Sequence, residues 1–149
     1  MGIAADAVLA EGGRVVGVIP DPLATKELAH EGLTEQHIVR DMHERKALMA
    51  LRADAFLALP GGIGTFEEFF EILTWAALGL HNKPIGLLNV EGYFNPLLAM
   101  LSHGVDERFI RPDHLAMILI SNDPEALARE ILNHKPALPG SWWINLDPT

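Results

Sequence analysis

The sequence contains no cysteine. This absence excludes disulfide bonds, thiolate-bound zinc, iron–sulfur clusters and a thiol nucleophile within these 149 residues. Basic residues are also scarce, because 11 lysines and arginines stand against 20 aspartates and glutamates, which gives a net charge of −9. Nucleic-acid binding depends on neutralising phosphate groups, and the basic residues form no run, so we expect no nucleic-acid partner.

Long apolar segments are absent as well. No apolar run approaches the roughly 18 residues that a membrane-spanning helix requires. The first six residues, from Met1 to Asp6, lack the basic start of a signal peptide. We therefore expect a cytoplasmic protein with no membrane partner.

Short apolar runs are present, and their apolar residues do not alternate with polar ones. Such runs are typical of strands that are buried on both faces of a parallel sheet. Helix-like stretches lie between them, and this alternation predicts a doubly wound α/β domain over residues 1–134 with an extended tail at 135–149. The predicted strands are 14–20, 55–60, 84–90 and 114–121, and the predicted helices are 2–11, 42–52, 66–80, 96–104 and 124–134.

A connection of about twenty residues, 21–41, joins the first predicted strand to the next strong helix, whereas connections usually have about 4–6 residues. Part of this connection, 24–31, has a composition that allows one or two helical turns. Connections of this length are often functional.

The most informative segment is P-G-G-I-G-T-F-E-E, which runs from Pro60 to Glu68 between a predicted strand and a predicted helix. Glycines allow a ligand to approach the backbone closely, and a helix N-terminus offers unpaired N–H groups, so the segment suits a phosphate. It matches neither the Walker A pattern nor G-x-G-x-x-G. The alternative is a purely structural turn in which Thr65 caps the helix and Glu68 completes a capping box.

Arg45 and Lys46 lie in or just after the first turn of the helix that is predicted to follow Asp41. Cations at this end oppose the helix dipole, so an external anion nearby would explain them. The alternative is a pair of solvated surface charges. In a parallel α/β sheet this helix start and the glycine loop both lie at the carboxyl edge, where ligands bind, so Arg45 and Glu68 are expected to face one pocket.

Four segments together carry a resemblance to a known family. They are M-H-E-R-K-A-L-M from position 42, A-D-A-F-L-A-L-P-G-G-I-G-T-F-E-E from position 53, L-T-W-A from position 73 and G-L-L-N-V-E-G-Y from position 86. They resemble the LONELY GUY family of cytokinin riboside 5'-monophosphate phosphoribohydrolases, whose members are often labelled lysine decarboxylases, and the likeness extends from the start of the chain to about residue 134. It implies a Rossmann-like doubly wound fold, a homodimer, and hydrolysis of the N-glycosidic bond of N6-modified adenosine 5'-monophosphates to a free base and ribose 5-phosphate.

The resemblance also assigns the site residue by residue. It implies that Arg45 and Glu68 are the catalytic pair, with no metal ion and no cofactor. A carboxylate such as Glu68 can stabilise an oxocarbenium-like state or orient the attacking water, and an arginine such as Arg45 offers a fixed fork of donors to phosphate or ribose oxygens. The implied substrate contacts are Glu27, Arg45, Lys46, Gly62, Ile63, Gly64, Thr65, Phe66, Glu67, Glu68 and Thr74.

The chain departs from the family pattern at its start. The resemblance implies an N-terminal strand, a helix and a second strand that ends in G-G-G-x-x-G-L-M-G, and this chain begins at the last two residues of that segment, Met1 and Gly2. We therefore expect a domain that is N-terminally truncated relative to the family, with an exposed sheet edge and weakened phosphate binding.

Other functions are disfavoured by the motifs that they require. None of the four lysines has a setting typical of a pyridoxal phosphate site, no serine lies in G-x-S-x-G, and neither His-Glu pair continues as H-E-x-x-H. The remaining alternative is a nucleotide-binding module without turnover. The predicted helix at 66–80 carries more apolar residues than one core-facing stripe needs, which favours a dimer, although complete burial within one subunit would also explain it.

Overall fold

The computed structural model describes residues 2–24, 30 and 32–134. Within them, helices alternate with parallel strands, which confirms the predicted α/β class and the Rossmann-like arrangement. The elements are α1 (Gly2–Ala10), β1 (Val16–Pro20), α2 (Asp21–Ala24), β2 (Glu35–Val39), α3 (Met42–Arg52), β3 (Phe56–Ala58), α4 (Ile63–Ala77), β4 (Ile85–Leu88), a 3-10 turn (Val90–Gly92), α5 (Asn95–Asp106), α6 (Pro112–Leu115), β5 (Ile118–Ser121) and α7 (Pro124–Asn133).

The chain divides into two compact units, Met1–Ala53 and Asp54–Thr149. In the first unit, β1 and β2 pair in parallel with Val16 opposite Glu35 and Pro20 opposite Val39. Helix α3 packs against both strands. The described part of this unit therefore holds a two-stranded parallel sheet with the start of α3 beyond the end of β2.

The second unit contains a three-stranded parallel sheet in the order β3-β4-β5. Successive residues of β4 point to opposite faces, so Ile85 and Leu87 enter one core while Leu88 enters another. The first core also contains residues of α4 and α5, and the second is closed by Leu127 of α7. Helices thus cover both faces of this sheet, as in a doubly wound fold.

The strand predictions missed one strand and misplaced the start of another. The connection 21–41 contains α2 and a strand that was not predicted, β2. Strand β2 escaped prediction because its first three residues are Glu, Gln and His and only its last residue, Val39, is buried, so it contains no apolar run. The run 114–121 forms a strand only from Ile118, because Pro112 occupies the first turn of α6 and starts a helix instead.

Some predictions fall outside the described residues. They are the extended tail at 135–149 and most of the helical turns predicted at 24–31. Among the helices that the structure does describe, none is long and apolar enough to cross a membrane.

Candidate active site

The glycine loop leads directly from the carboxyl end of β3 into α4. Gly62 is the N-cap of α4, and its carbonyl oxygen accepts hydrogen bonds from the N–H groups of Thr65 and Phe66 at 3.0 and 3.2 Å. The helix therefore starts at Ile63, three residues before the predicted start. The interpretation of Thr65 as a helix cap with Glu68 in a capping box is wrong, because Thr65 lies within the first turn.

The first turn of α4 has open backbone donors. Gly62 supplies no side-chain cap, and the hydrogen bonds of the described residues include none donated by the N–H groups of Gly62, Ile63 and Gly64. A Cβ atom built at Gly62 or Gly64 would meet nothing within 4 Å, so open space lies beside the backbone there. Uncapped N–H groups at the positive end of a 15-residue helix form a favourable site for an anionic group such as a phosphate.

Tyr93 contacts the start of this loop from the turn that follows the neighbouring strand. It lies in the turn after β4, and its hydroxyl group donates a hydrogen bond of 2.6 Å to the carbonyl oxygen of Gly61. Sequence reasoning missed this contact. The available signal was the position of Tyr93 just after the predicted strand at 84–90, since parallel strands end at the same edge of a sheet.

The N-terminus of α3, in the first unit, is closed by its own side chains. Asp41 is the N-cap and accepts a 2.8 Å hydrogen bond from the N–H of Glu44, which holds the pKa of Asp41 below its usual range. Glu44 in turn accepts from the backbone N–H of Arg40 at 2.8 Å, and this bond, reinforced by the Arg40 side chain, lowers the pKa of Glu44. Two carboxylates therefore complement the dipole of α3.

Arg45 and Lys46 are buried, each with 9% of its surface exposed. The alternative of two solvated surface charges is therefore wrong. The Nε–H group of Arg45 donates a 3.1 Å hydrogen bond to the carbonyl oxygen of Val18 in β1. The N–H of Glu35 donates to the carbonyl oxygen of Val15, so the Val15 carbonyl points toward β2. Successive carbonyl groups of a strand point to alternate sides, and the Val18 carbonyl therefore lies on the edge of β1 that faces away from β2.

Arg45 also lines a cavity of about 860 Å³ within the first unit. The walls are mainly apolar and come from α1 and β1, with Val8, Val16 and Val18 among the lining residues. A buried guanidinium group at the wall of an apolar cavity requires polar partners, because an unpaired buried charge is costly. The carbonyl oxygen of Val18 is one such partner, and its hydrogen bond fixes the direction of the Arg45 side chain.

The other candidate residues of the second unit lie on α4. Glu68 is partly buried and Glu67 is exposed, and both make contacts within the chain. The hydroxyl group of Thr74 donates to the carbonyl oxygen of Phe70 at 2.6 Å, as is common for a helical threonine, and the residue is exposed. Phe66 packs against the core, so its side chain anchors the first turn of the helix.

The structure groups the candidate residues in two places. Arg45 and Lys46 lie together in the first unit, and the glycine loop, Glu67, Glu68 and Thr74 lie together in the second. The proximity of Arg45 to Glu68 stays a prediction, and Glu27 lies outside the described residues. In the part of the chain that the structure describes, no group of three or more His, Asp or Glu side chains is placed to hold a metal ion.

Comparison with known proteins agrees with these motifs. Residues 1–131 match the family model described as "Possible lysine decarboxylase". The chain is 56% identical over 126 residues to the cytokinin riboside 5'-monophosphate phosphoribohydrolase of Rhodococcoides fascians, which covers 84% of this chain and 64% of that protein. The chain belongs to the LONELY GUY family.

Plant members of the LONELY GUY family match over a similar range. Identity is 48% over 136 residues to the cytokinin riboside 5'-monophosphate phosphoribohydrolase LOG7 of Arabidopsis thaliana, covering 91% of this chain and 63% of that protein. It is 47% over 136 residues to the probable enzyme LOGL2 of Oryza sativa subsp. japonica, covering 91% of this chain and 56% of that protein. The chain thus spans less than two thirds of the length of these LONELY GUY relatives.

Proposed function

We propose that this chain hydrolyses the N-glycosidic bond of adenosine 5'-monophosphates, including N6-modified ones, and releases the free base and ribose 5-phosphate. The observation that carries the proposal is the uncapped start of α4, with open space beside Gly62 and Gly64. This geometry suits the 5'-phosphate of a nucleotide. The names of the LONELY GUY relatives supply the reaction and the substrate class.

The phosphate serves to position the reacting bond. Backbone N–H groups of Gly62, Ile63 and Gly64 bind it, and Arg45 and Lys46 are further proposed substrate contacts. Binding energy from a remote group can be used to orient the reacting carbon, so a substrate without the phosphate loses rate as well as affinity. Glu27, Thr65, Phe66, Glu67 and Thr74 complete the proposed substrate contacts.

Glu68 and Arg45 form the proposed catalytic pair. As the bond between C1' and the base nitrogen breaks, its electron pair leaves with the base, and positive charge develops on the ribose ring. The carboxylate of Glu68 stabilises this charge and orients a water molecule, whose oxygen bonds to C1'. One water proton then passes to the departing base, and the other hydrogen stays on the new hydroxyl group of ribose 5-phosphate.

The test is chromatographic detection of free base after incubation of the full chain with isopentenyladenosine monophosphate, AMP and adenosine. The parent is expected to release base from both monophosphates and at least about tenfold more slowly from adenosine, since one charged contact corresponds to about 1.4 kcal/mol or more. Glu68→Gln removes the charge at nearly constant size and is expected to abolish release. Glu107→Gln, on an exposed residue after α5, is the matched control and keeps the parent rate.

Two results would contradict the proposal. Equal turnover of adenosine and AMP would show that the glycine loop does not use the phosphate. Binding of AMP with no release of base would identify a nucleotide-binding module without turnover, which is the other function that the same residues support.

We also propose that the protein acts in the cytoplasm as a homodimer, with no nucleic-acid or membrane partner. The absence of cysteine and the net charge of −9 support the location and the lack of a nucleic-acid partner. Exposed apolar residues at both ends of the α4 region, Ile63 and Leu80, support a second subunit. Light scattering is expected to give twice the chain mass of 16.3 kDa, and a mass of one chain would contradict the dimer.

A further inference from the structure

We propose that Tyr93 is a positioning residue for the phosphate-binding loop, an inference that rests on the function proposed above. The turn after β4, formed by residues 89–95, holds the glycine loop at two points. Its tyrosine hydroxyl bonds to the carbonyl oxygen of Gly61, and its next residue, Phe94, packs edge-on against Phe66 in the first turn of α4.

The hydrogen bond at Gly61 controls the orientation of a single peptide group. A trans peptide is planar, so its C=O and N–H groups point in opposite directions. When the Tyr93 hydroxyl fixes the carbonyl of Gly61 at 2.6 Å, the N–H of Gly62 is held pointing away from Tyr93. That N–H group is one of the open donors at the start of α4. Tyr93 thus orients an N–H group that binds the phosphate, and it does so without contacting the phosphate itself.

The second point of contact keeps Tyr93 itself in place. Phe94 is 1% exposed and belongs to the first core of the unit. The ring of Tyr93 packs edge-on against it with centroids 5.0 Å apart, whereas 47% of Tyr93 is exposed. The buried Phe94 therefore anchors an exposed tyrosine whose hydroxyl group reaches the loop.

The backbone of the turn is also held in an uncommon conformation. Glu91 has a φ angle of 52°, in the left-handed region that residues with side chains seldom adopt. Asn89 fixes the turn from inside, because its side chain accepts from the N–H of Phe94 at 2.7 Å and donates to Asn95 at 2.8 Å. Such conformations persist only where the surroundings determine them, and they are concentrated at ligand-binding sites.

The experiment compares the parent chain with Tyr93→Phe, which keeps the ring and removes only the hydroxyl group. The expected result is a rise of about three- to tenfold in the KM for AMP and in the Kd for ribose 5-phosphate measured by calorimetry, as for the loss of one hydrogen bond. The kcat/KM for adenosine, which has no phosphate, is expected to stay at the parent value. In the amide spectrum, the Gly62 and Ile63 resonances are expected to shift or broaden.

Ser121→Ala is the matched control, because it also removes a hydroxyl group at the carboxyl end of a strand of this sheet. The Ser121 hydroxyl accepts from the N–H of Asp123 at 3.1 Å and does not reach the loop. This variant is expected to lose some thermal stability with no change in KM or in the Gly62 resonance.

Three results would overturn the positioning role. The first is an unchanged KM for AMP and an unchanged Kd for ribose 5-phosphate in Tyr93→Phe. The second is an equal loss of kcat/KM for AMP and for adenosine. The third is a rise in KM no larger than that caused by Ser121→Ala. Failure of the proposed function is distinguishable, because a parent chain that binds ribose 5-phosphate without releasing base from AMP still tests Tyr93 through the Kd. A parent chain that does not bind ribose 5-phosphate overturns both proposals.

Discussion

Gly61 and Thr65 approach so closely that a Cβ atom at residue 61 would lie 2.2 Å from Oγ1 of Thr65. The side chain of Thr65 therefore occupies the space that any larger residue at position 61 requires. Gly62 and Gly64, only a few residues away, have open space at the equivalent position. The three glycines of this loop thus have two different surroundings, because Gly61 lies against Thr65 whereas Gly62 and Gly64 have open space beside the backbone.

Gly61→Ala is expected to destabilise the second unit by about 1–3 kcal/mol, as for an overpacked site, and to displace the first turn of α4. The double variant Gly61→Ala with Thr65→Ala removes the closest atom and is expected to recover part of the loss. Urea unfolding of the three proteins measures the effect. A single variant as stable as the parent would contradict the close packing.

Gly64→Ala is expected to separate stability from binding. Alanine is a better helix former than glycine, so the free energy of unfolding should rise by about 0.4–1 kcal/mol. The added methyl group occupies the open space beside the first turn, so AMP is expected to bind at least several-fold more weakly. Calorimetry and thermal unfolding of the same preparation test both parts, and unchanged AMP binding would argue against a ligand at this turn.

Arg45→Lys is expected to lower kcat/KM for AMP at least about tenfold, because lysine cannot reproduce the fixed fork of a guanidinium group held by Val18. The lost bond should also cost about 1 kcal/mol of stability. Arg40→Lys provides the control, since Arg40 is exposed at the start of the same helix and pairs with Glu44. If both variants lower kcat/KM equally, Arg45 has no special role.

His81 is expected to make the stability of the second unit depend on pH. Its Nε2 lies 3.0 Å from the Ile72 carbonyl and its Nδ1 accepts from the N–H of Lys83, which defines a neutral ring, and burial lowers its pKa below the ordinary 6.5. Below pH 6.5 the unfolded chain therefore takes up a proton that the folded chain resists, so stability should fall as the pH drops from about 7 toward 5.

Urea titrations across this pH range test that dependence. His81→Gln is expected to be less stable than the parent at pH 7 and to lose less stability as the pH falls. His103→Gln, on an exposed residue of α5, is the control and is expected to keep the slope of the parent. An unchanged slope in His81→Gln would show that His81 is not the titrating group.

Glu91 is expected to tolerate glycine better than any branched residue. Glycine adopts a positive φ without penalty, so Glu91→Gly should change the free energy of unfolding by less than about 1 kcal/mol. Glu91→Val should cost about 1–3 kcal/mol, because a β-branched side chain clashes in the left-handed region. Thermal unfolding distinguishes the two variants, and equal stabilities would mean that the turn relaxes around residue 91.

Local patterns predicted some elements closely and missed others for identifiable reasons. Helix α3 has the predicted bounds because Asp41 is a strong N-cap and the apolar spacing continues to the end of the helix. The start of α4 was placed three residues late because glycine disfavours helix, whereas the helix begins at Ile63 with Gly62 as its N-cap and Gly64 in its first turn. Strand β2 was missed because its polar residues carry no signal of a buried strand.

Local patterns also indicated only part of the candidate site. Arg45 and Glu68 could be proposed as site residues because each belongs to a contiguous motif at the start of a helix, and their roles stay a prediction. The contact of Tyr93 with Gly61 could not be predicted, because it joins two loops that are 32 residues apart. Such a contact depends on which strands are neighbours and where each one ends, and no local pattern contains that information.

All four residues of β4 are buried, and the strand has a hydrogen-bonded neighbour on each side. Its amide protons are therefore expected to exchange with solvent only when the whole second unit unfolds, and more slowly than those of β3 or β5. The turn that carries Tyr93 follows this strand directly. The glycine loop, which is itself exposed to solvent, is thus hydrogen-bonded through Tyr93 to the turn that follows the strand expected to exchange most slowly in its unit.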